Sequence, residues 1–132
     1  MTALPNPKLN HLLSVLPPAE WERIAPQLTW ADLPLGHVVY ESGDRPEYVY
    51  FPVTSIVSLL YVMENGSSGE IAIVGNEGMV GIAIFMGGET TPSRAVVQSA
   101  GGAYRLSARI LKQEFARAGA MQRLLLRYTQ AL

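Results

Sequence analysis

The stretch Ile56-Val57-Ser58-Leu59-Leu60-Tyr61-Val62-Met63-Glu64-Asn65-Gly66-Ser67-Ser68-Gly69-Glu70-Ile71-Ala72-Ile73-Val74 decides the fold class. Two apolar, β-branched runs flank Glu64-Asn65-Gly66, and an Asn-Gly pair favours the tight reversal of a hairpin. Upstream lie three shorter β-rich runs: Leu28 to Leu33, His37-Val38-Val39-Tyr40 and Tyr48-Val49-Tyr50-Phe51. Pro34-Leu35-Gly36 and Glu41-Ser42-Gly43-Asp44 separate them as turns. Downstream, Arg94 to Gln98 and Ala103 to Leu106 read as two more strands around Gly101-Gly102. Short strands at regular spacing argue for a sandwich or barrel. A long central hairpin inside shorter pairs favours a jelly roll over a meander.

Helical signals sit at both ends. Leu9 to Leu16 reads as a short apolar helix with Asn10 near its start, stopped by Pro17-Pro18. Pro18 to Ile24 reads as a second, with proline in its first turn and acids near the positive end of the dipole. Ser107 predicts an N-cap for a helix to about Phe115. Met121, Leu124, Leu125, Tyr128 and Leu132 then follow the i, i+3, i+4, i+7 spacing of an amphipathic helix, flanked by Arg123 and Arg127. Ala131-Leu132 brings no capping glycine, which predicts a sequence cut inside that helix. The expected organisation is N-terminal helices over 1–27, a β-roll over 28–107, and a helix plus the start of a further helix over 108–132.

The 132 residues suit one domain. Hydrophobic residues make up 48% and charged ones only 16%, against a usual quarter or so, which predicts a surface partly covered by a partner. No apolar run reaches the roughly 18 residues of a membrane span, and a cytoplasmic location is expected. Without cysteine there is no disulfide, thiolate metal site or cysteine nucleophile. His11 and His37 are the only histidines and stand far apart, which argues against a metal site. No G-x-S-x-G elbow supports a serine hydrolase. No enzyme activity is expected, a small cupin-type enzyme being the least favoured alternative. Charge is unevenly distributed: residues 1–93 hold three basic and ten acidic groups, a net of −7, and residues 94–132 carry a net of +6. That asymmetry serves either intramolecular pairing or a nucleic-acid contact, and the spread of the basic residues favours pairing.

The chemistry concentrates in Gly75-Asn76-Glu77-Gly78-Met79-Val80-Gly81-Ile82-Ala83-Ile84-Phe85-Met86-Gly87-Gly88-Glu89-Thr90-Thr91-Pro92-Ser93-Arg94-Ala95. Glycines let backbone N–H groups converge on an anion, and an arginine clamps such a group in a fork. The stretch therefore suggests a pocket for a phosphate or carboxylate. Turns between strands explain the same glycines, and a strand arginine paired on the surface explains Arg94.

Taken together, Leu35 to Asp44, Tyr48-Val49-Tyr50-Phe51-Pro52, Gly75 to Gly81 and the closing amphipathic helix resemble the Crp/Fnr family of transcriptional regulators, specifically its cyclic-nucleotide-binding sensor domain. The resemblance covers roughly Leu9 to Leu132. It implies a mainly β fold with flanking helices, a double-stranded β-helix (jelly roll) followed by a long amphipathic dimerisation helix. It implies Val80, Gly81, Ile82, Ala83, Ser93, Arg94 and Ala95 as ligand-binding candidates, with no metal and no catalytic residue. Met121, Leu124, Leu125, Tyr128 and Leu132 become the candidate homodimer interface. The implied effector is a cyclic nucleotide or another small anion, and DNA would be bound only through a domain missing from this chain. Two family features are displaced. Gly81 stands where the ribose-gripping glutamate belongs, and Ser93 where the phosphate arginine belongs, with arginine one place later at Arg94. On a strand that step turns the side chain to the opposite face unless a bulge compensates. A ligand-free β-roll for protein interaction is the alternative.

Overall fold

Asn10 sets the first α-helix. A 3-10 turn, Pro7–Leu9, leads into α1 (His11–Ser14), and the Asn10 carboxamide oxygen accepts from the backbone N–H groups of Leu12 and Leu13. Pro18 then begins α2 (Pro18–Ile24), where its missing N–H needs no partner and its fixed φ is already helical. A second 3-10 turn, Ala25–Gln27, hands the chain to the strands. The computed structural model describes residues 3–62, 64–66, 68–82 and 93–131.

Seven strands are present among these residues: β1 (Thr29–Leu33), β2 (Val38–Tyr40), β3 (Tyr48–Pro52), β4 (Ile56–Val62), β5 (Ser68–Val74), β6 (Ser93–Ser99) and β7 (Gly101–Ser107). They form two antiparallel sheets, ordered β1-β7-β3 and β2-β6-β4-β5. The β4–β5 hairpin is the expected central one, with Val57 opposite Val74 and Leu59 opposite Ala72. Sequence neighbours often lie in different sheets, so the chain winds between the two layers as a roll rather than a meander. Mainly antiparallel β with a few helices is the architecture observed.

Strand alternation divides the apolar residues between two cores. Val57, Leu59, Val74, Ala95, Val97 and Ala103 meet inside the roll, with Tyr40 and Val80. Val49, Phe51 and Leu106 face the other way and pack with Leu12, Leu13 and Ile24 of the helices. The chain then continues into α3 (Ala108–Ala116), capped as expected by Ser107, whose hydroxyl accepts from the Arg109 N–H at 3.2 Å. Ala118 takes a left-handed conformation (φ +55°) and breaks the path before α4 (Ala120–Ala131). Its described part spans 12 residues and turns Met121, Leu124, Leu125 and Tyr128 onto the chain's own core.

Two ion pairs join the acidic and basic parts of the sequence. Arg94 Nε lies 2.9 Å from Glu41 Oε1, and the Arg23 guanidinium forks onto the buried Glu114 carboxylate at 2.9–3.2 Å. Arg117 approaches the same carboxylate at 3.4 Å. Glu114, the single acid of the basic tail, thus answers a basic residue of the acidic body. Among the described residues no helix is long and apolar enough to cross a membrane.

Candidate functional site

Alternation along β6 fixes what faces the roll interior. Ser93, Ala95 and Val97 are buried, whereas Arg94 and Val96 between them are only half-buried. Pairing with β4 is unbroken here, Tyr61 opposite Ser93, Leu60 opposite Arg94 and Leu59 opposite Ala95. The irregularity against β2 falls between Val38 and Tyr40, on the partner strand, so no bulge on β6 returns Arg94 to the inner face. Arg94 therefore points away from the interior and engages Glu41. The period of two places Ser93, not Arg94, on the inside.

Ser93 is 5% exposed and is hydrogen-bonded to the hydroxyl of Tyr40, itself 7% exposed. Burial pushes the Tyr40 phenol above its ordinary range, and the Ser93 bond offsets part of that shift. Tyr50 packs against the core that holds Tyr40. Tyr40 and Tyr50 come from β2 and β3, strands of different sheets, and their meeting across the roll is one that no local pattern announces.

Of the other candidates, Val80 joins the roll interior and forms a two-bond bridge with Tyr50, at 3.0 and 2.8 Å. Gly81 is buried with φ +109°, a region open to glycine and costly for an L side chain, so the chain turns there without a Cβ. Ile82 packs against the helix-side core. The structure thus brings together Val80, Ser93 and Ala95 and sends Ile82 and Arg94 elsewhere. Ala83 lies outside the described residues.

Residues 75–81 are gripped from two directions. Asn10, fully buried, donates through Nδ2 to the Gly78 carbonyl at 2.8 Å and to the Pro52 carbonyl at 2.9 Å. The His11 N–H donates to the Asn76 carbonyl at 2.8 Å. From the other side Tyr128 of α4 lies over Gly78, in the space that a Cβ would fill, and its hydroxyl donates to the Met79 carbonyl at 3.4 Å. Burial foremost raises the Tyr128 phenol above its ordinary range, and the Glu77 carboxylate adds to the rise.

The same seat places most of the α4 stripe within the chain. Met121 and Leu125 are 2% and 1% exposed inside the chain's own core, and Leu124 and Tyr128 pack against that core. An amphipathic helix buries its apolar face on the nearest apolar surface, and here the roll supplies it. Leu132 lies outside the described residues. On the outward side, Leu126 is 38% exposed between Arg123 and Arg127. Among the described residues no three His, Cys, Asp or Glu side chains converge as metal ligands.

Comparison with known structures finds the same roll repeatedly. The regulatory subunit of a cAMP-independent protein kinase A from Trypanosoma brucei superposes with a TM-score of 0.78 at 18% identity, over 92% of this chain and 43% of that one. The sensor domain of the transcriptional regulator DNR from Pseudomonas aeruginosa gives 0.71 at 16% identity, over 92% of this chain and 79% of that one. The N-terminal domain of a transcriptional regulator from Streptomyces coelicolor A3(2) gives 0.68 at 17% identity, over 96% of this chain and 85% of that one. This chain therefore spans less than half of the trypanosomal protein and most of the two bacterial domains. At these identities the likeness is one of fold. No curated protein matches the sequence significantly. Residues 31–118, from β1 through α3, match the sequence profile of the cyclic nucleotide-binding domain, and the chain belongs to that family.

Proposed function

We propose that this domain is the effector-sensing and dimerisation part of a Crp/Fnr-type transcriptional regulator with a remodelled ligand cassette. The observation that carries the reading is the double grip on residues 75–81. Val80 and Gly81 border the roll interior, while Gly78 and Met79 just before them hold Asn10 and Tyr128. A ligand that displaces Val80 or Gly81 moves the carbonyls on which the first and last helices rest. Its differential affinity for two positions of α4 is the coupling free energy, and population shift is the mechanism. DNA is reached through a further domain, and no catalysis is assigned to the chain. With the inner stripe of α4 buried, the homodimer contact is assigned to the outward face, where Leu126 is the exposed apolar residue.

The sensor-domain neighbours support this role. The test is a thermal-shift series with cyclic AMP, cyclic GMP, cyclic di-GMP and small organic acids, combined with sedimentation equilibrium of the native chain and of Leu126→Glu. Binding to the folded state raises Tm, and the Leu126→Glu chain is expected to be monomeric. A ligand-free interaction domain is the second reading, favoured by the packing of Tyr40 onto Ser93 within the interior. A dimer with no shift from any ligand class would select it.

A further inference from the structure

The uneven charge of the sequence is not neutralised inside the folded chain, and this bears on what its last two helices meet. We infer that the exposed cations of α3 and α4 dock on the acidic surface of a second copy of this chain, not on that copy's α4. The inference rests on the homodimer reading above and names the surfaces that come together.

The Arg94–Glu41 pair takes a cation from residues 94–132 and an anion from residues 1–93; Arg23–Glu114 takes the reverse. The net charges of +6 and −7 are therefore left as they were. Arg109 and Lys112 stand three apart on α3, Arg123 and Arg127 four apart on α4, and all four are exposed. Among the described residues none of them has an ion pair. Glu89, the one acid outside those residues, is a single charge against four. Like charges at this spacing repel and destabilise their own helix. Local conflicts of that kind are expected at functional surfaces.

The described α4 holds no aspartate or glutamate, so α4 laid on its symmetry mate brings arginine toward arginine around Leu126. The counter-charge has to come from the partner's residues 1–93. There Glu22, Glu47 and Glu64 are exposed and likewise without an ion pair among the described residues. Each copy carries both signs, so a two-fold axis repeats the contact and closes the dimer. A nucleic acid would meet the same cations, but the whole chain's net charge of −1 gives it no overall attraction.

Sedimentation equilibrium of the full chain at about 0.02 M and about 0.5 M sodium chloride tests this. The dimer dissociation constant should rise about tenfold or more at the higher salt. Arg123→Gln combined with Arg127→Gln should raise it about tenfold at low salt and flatten the salt dependence. Arg109→Gln combined with Lys112→Gln leaves α4 intact and should act in the same direction, by about 2–5-fold. At least one of Glu22→Gln, Glu47→Gln and Glu64→Gln should also weaken the dimer; if none does, the inference fails. All these positions are exposed, and urea unfolding of each variant checks that the fold is kept. A dimer indifferent to salt and to both cation pairs, yet lost in Leu126→Glu, would overturn the inference and leave an apolar homodimer contact standing. A monomer at both salts would overturn it too, and a ligand-induced rise in Tm of that monomer would keep the sensing role. A monomer that binds duplex DNA at low salt, and loses it with Arg123→Gln and Arg127→Gln, would assign the cations to nucleic acid instead.

Discussion

The three-stranded sheet separates two interiors built on opposite rules. On its helix side, polar groups enter the core and each is closed by a partner. Asn10 makes four hydrogen bonds, Glu114 accepts a guanidinium fork, and Tyr128 reaches a carbonyl. On its roll side the core is built from aliphatic side chains with the phenols of Tyr40 and Tyr50, and Ser93 lies beside Tyr40. Paired polar groups in a core fix which surfaces meet, because alternative packings leave donors or acceptors bare. The helix side is therefore specified group by group. The roll side is specified by the shapes of its packed aliphatic side chains.

That contrast is broken most severely at Asn10. Asn10→Ala removes the α1 cap and leaves the Pro52 and Gly78 carbonyls without their donor. The expected loss is about 2–4 kcal/mol in urea unfolding. Asn10→Asp, which keeps the cap acceptor but loses both donors, should be no better. An unfolding midpoint like that of the native chain in either variant would remove Asn10 from the specifying set.

Glu114→Ala comes next. It strands Arg23, but that side chain is 36% exposed and reaches water, so the loss should be about 1–3 kcal/mol rather than the full penalty of a buried pair. A double-mutant cycle with Arg23→Ala checks that the energy belongs to the pair. Gly78→Ala is expected to cost a similar 1–3 kcal/mol or so, because the new methyl group enters the space of Tyr128. That cost should shrink markedly in a Tyr128→Ala background. Equal costs in both backgrounds would show that the glycine answers to something other than α4.

The mildest effects belong to the roll side. Tyr40→Phe removes one hydrogen bond in an otherwise uncharged cluster, about 0.5–1.5 kcal/mol. It also changes the pH profile. The folded Tyr40 phenol titrates above its unfolded value, so its contribution is fully present below about pH 10 and is lost as pH rises beyond that value through the folded one. Tyr128 acts in the same sense. Alkaline unfolding followed by tyrosinate absorbance should therefore be less steep in Tyr40→Phe and Tyr128→Phe than in the native chain. An unchanged slope would mean that neither phenol is held neutral by the fold.

The sequence made some of this legible and some of it not. Strands were readable because apolar residues alternate along β3, β4 and β6, and the Asn65-Gly66 reversal marks where β4 turns back. The outward direction of Arg94 was readable for the same reason, since a period of two decides its face once Ser93 is inside. Its partner Glu41 was not, because β2 and β6 meet only after the roll closes. Asn10 announced a helix start, but its carbonyl partners lie 42 and 68 positions along the chain. The α4 stripe showed that one face is buried without showing against what. The surface that Met121 and Leu125 meet is assembled from residues distant in sequence, Leu12, Ile24 and Phe51 among them. Ile82 illustrates the same point at one residue: after the turn at Gly81 it goes to the helix side, a direction that no local pattern encodes.

The seat of Tyr128 over Gly78 bears on how this domain opens transiently. The two ends of the chain share one short internal segment, with His11 and Asn10 on the carbonyls of residues 76 and 78 and Tyr128 on that of residue 79. Fraying at one terminus loosens the segment that anchors the other. In native-state hydrogen exchange the amides of α1 and α4 should then report a common opening free energy, as members of a single cooperative unit. The β4–β5 hairpin, tied to neither terminus, should exchange on its own schedule.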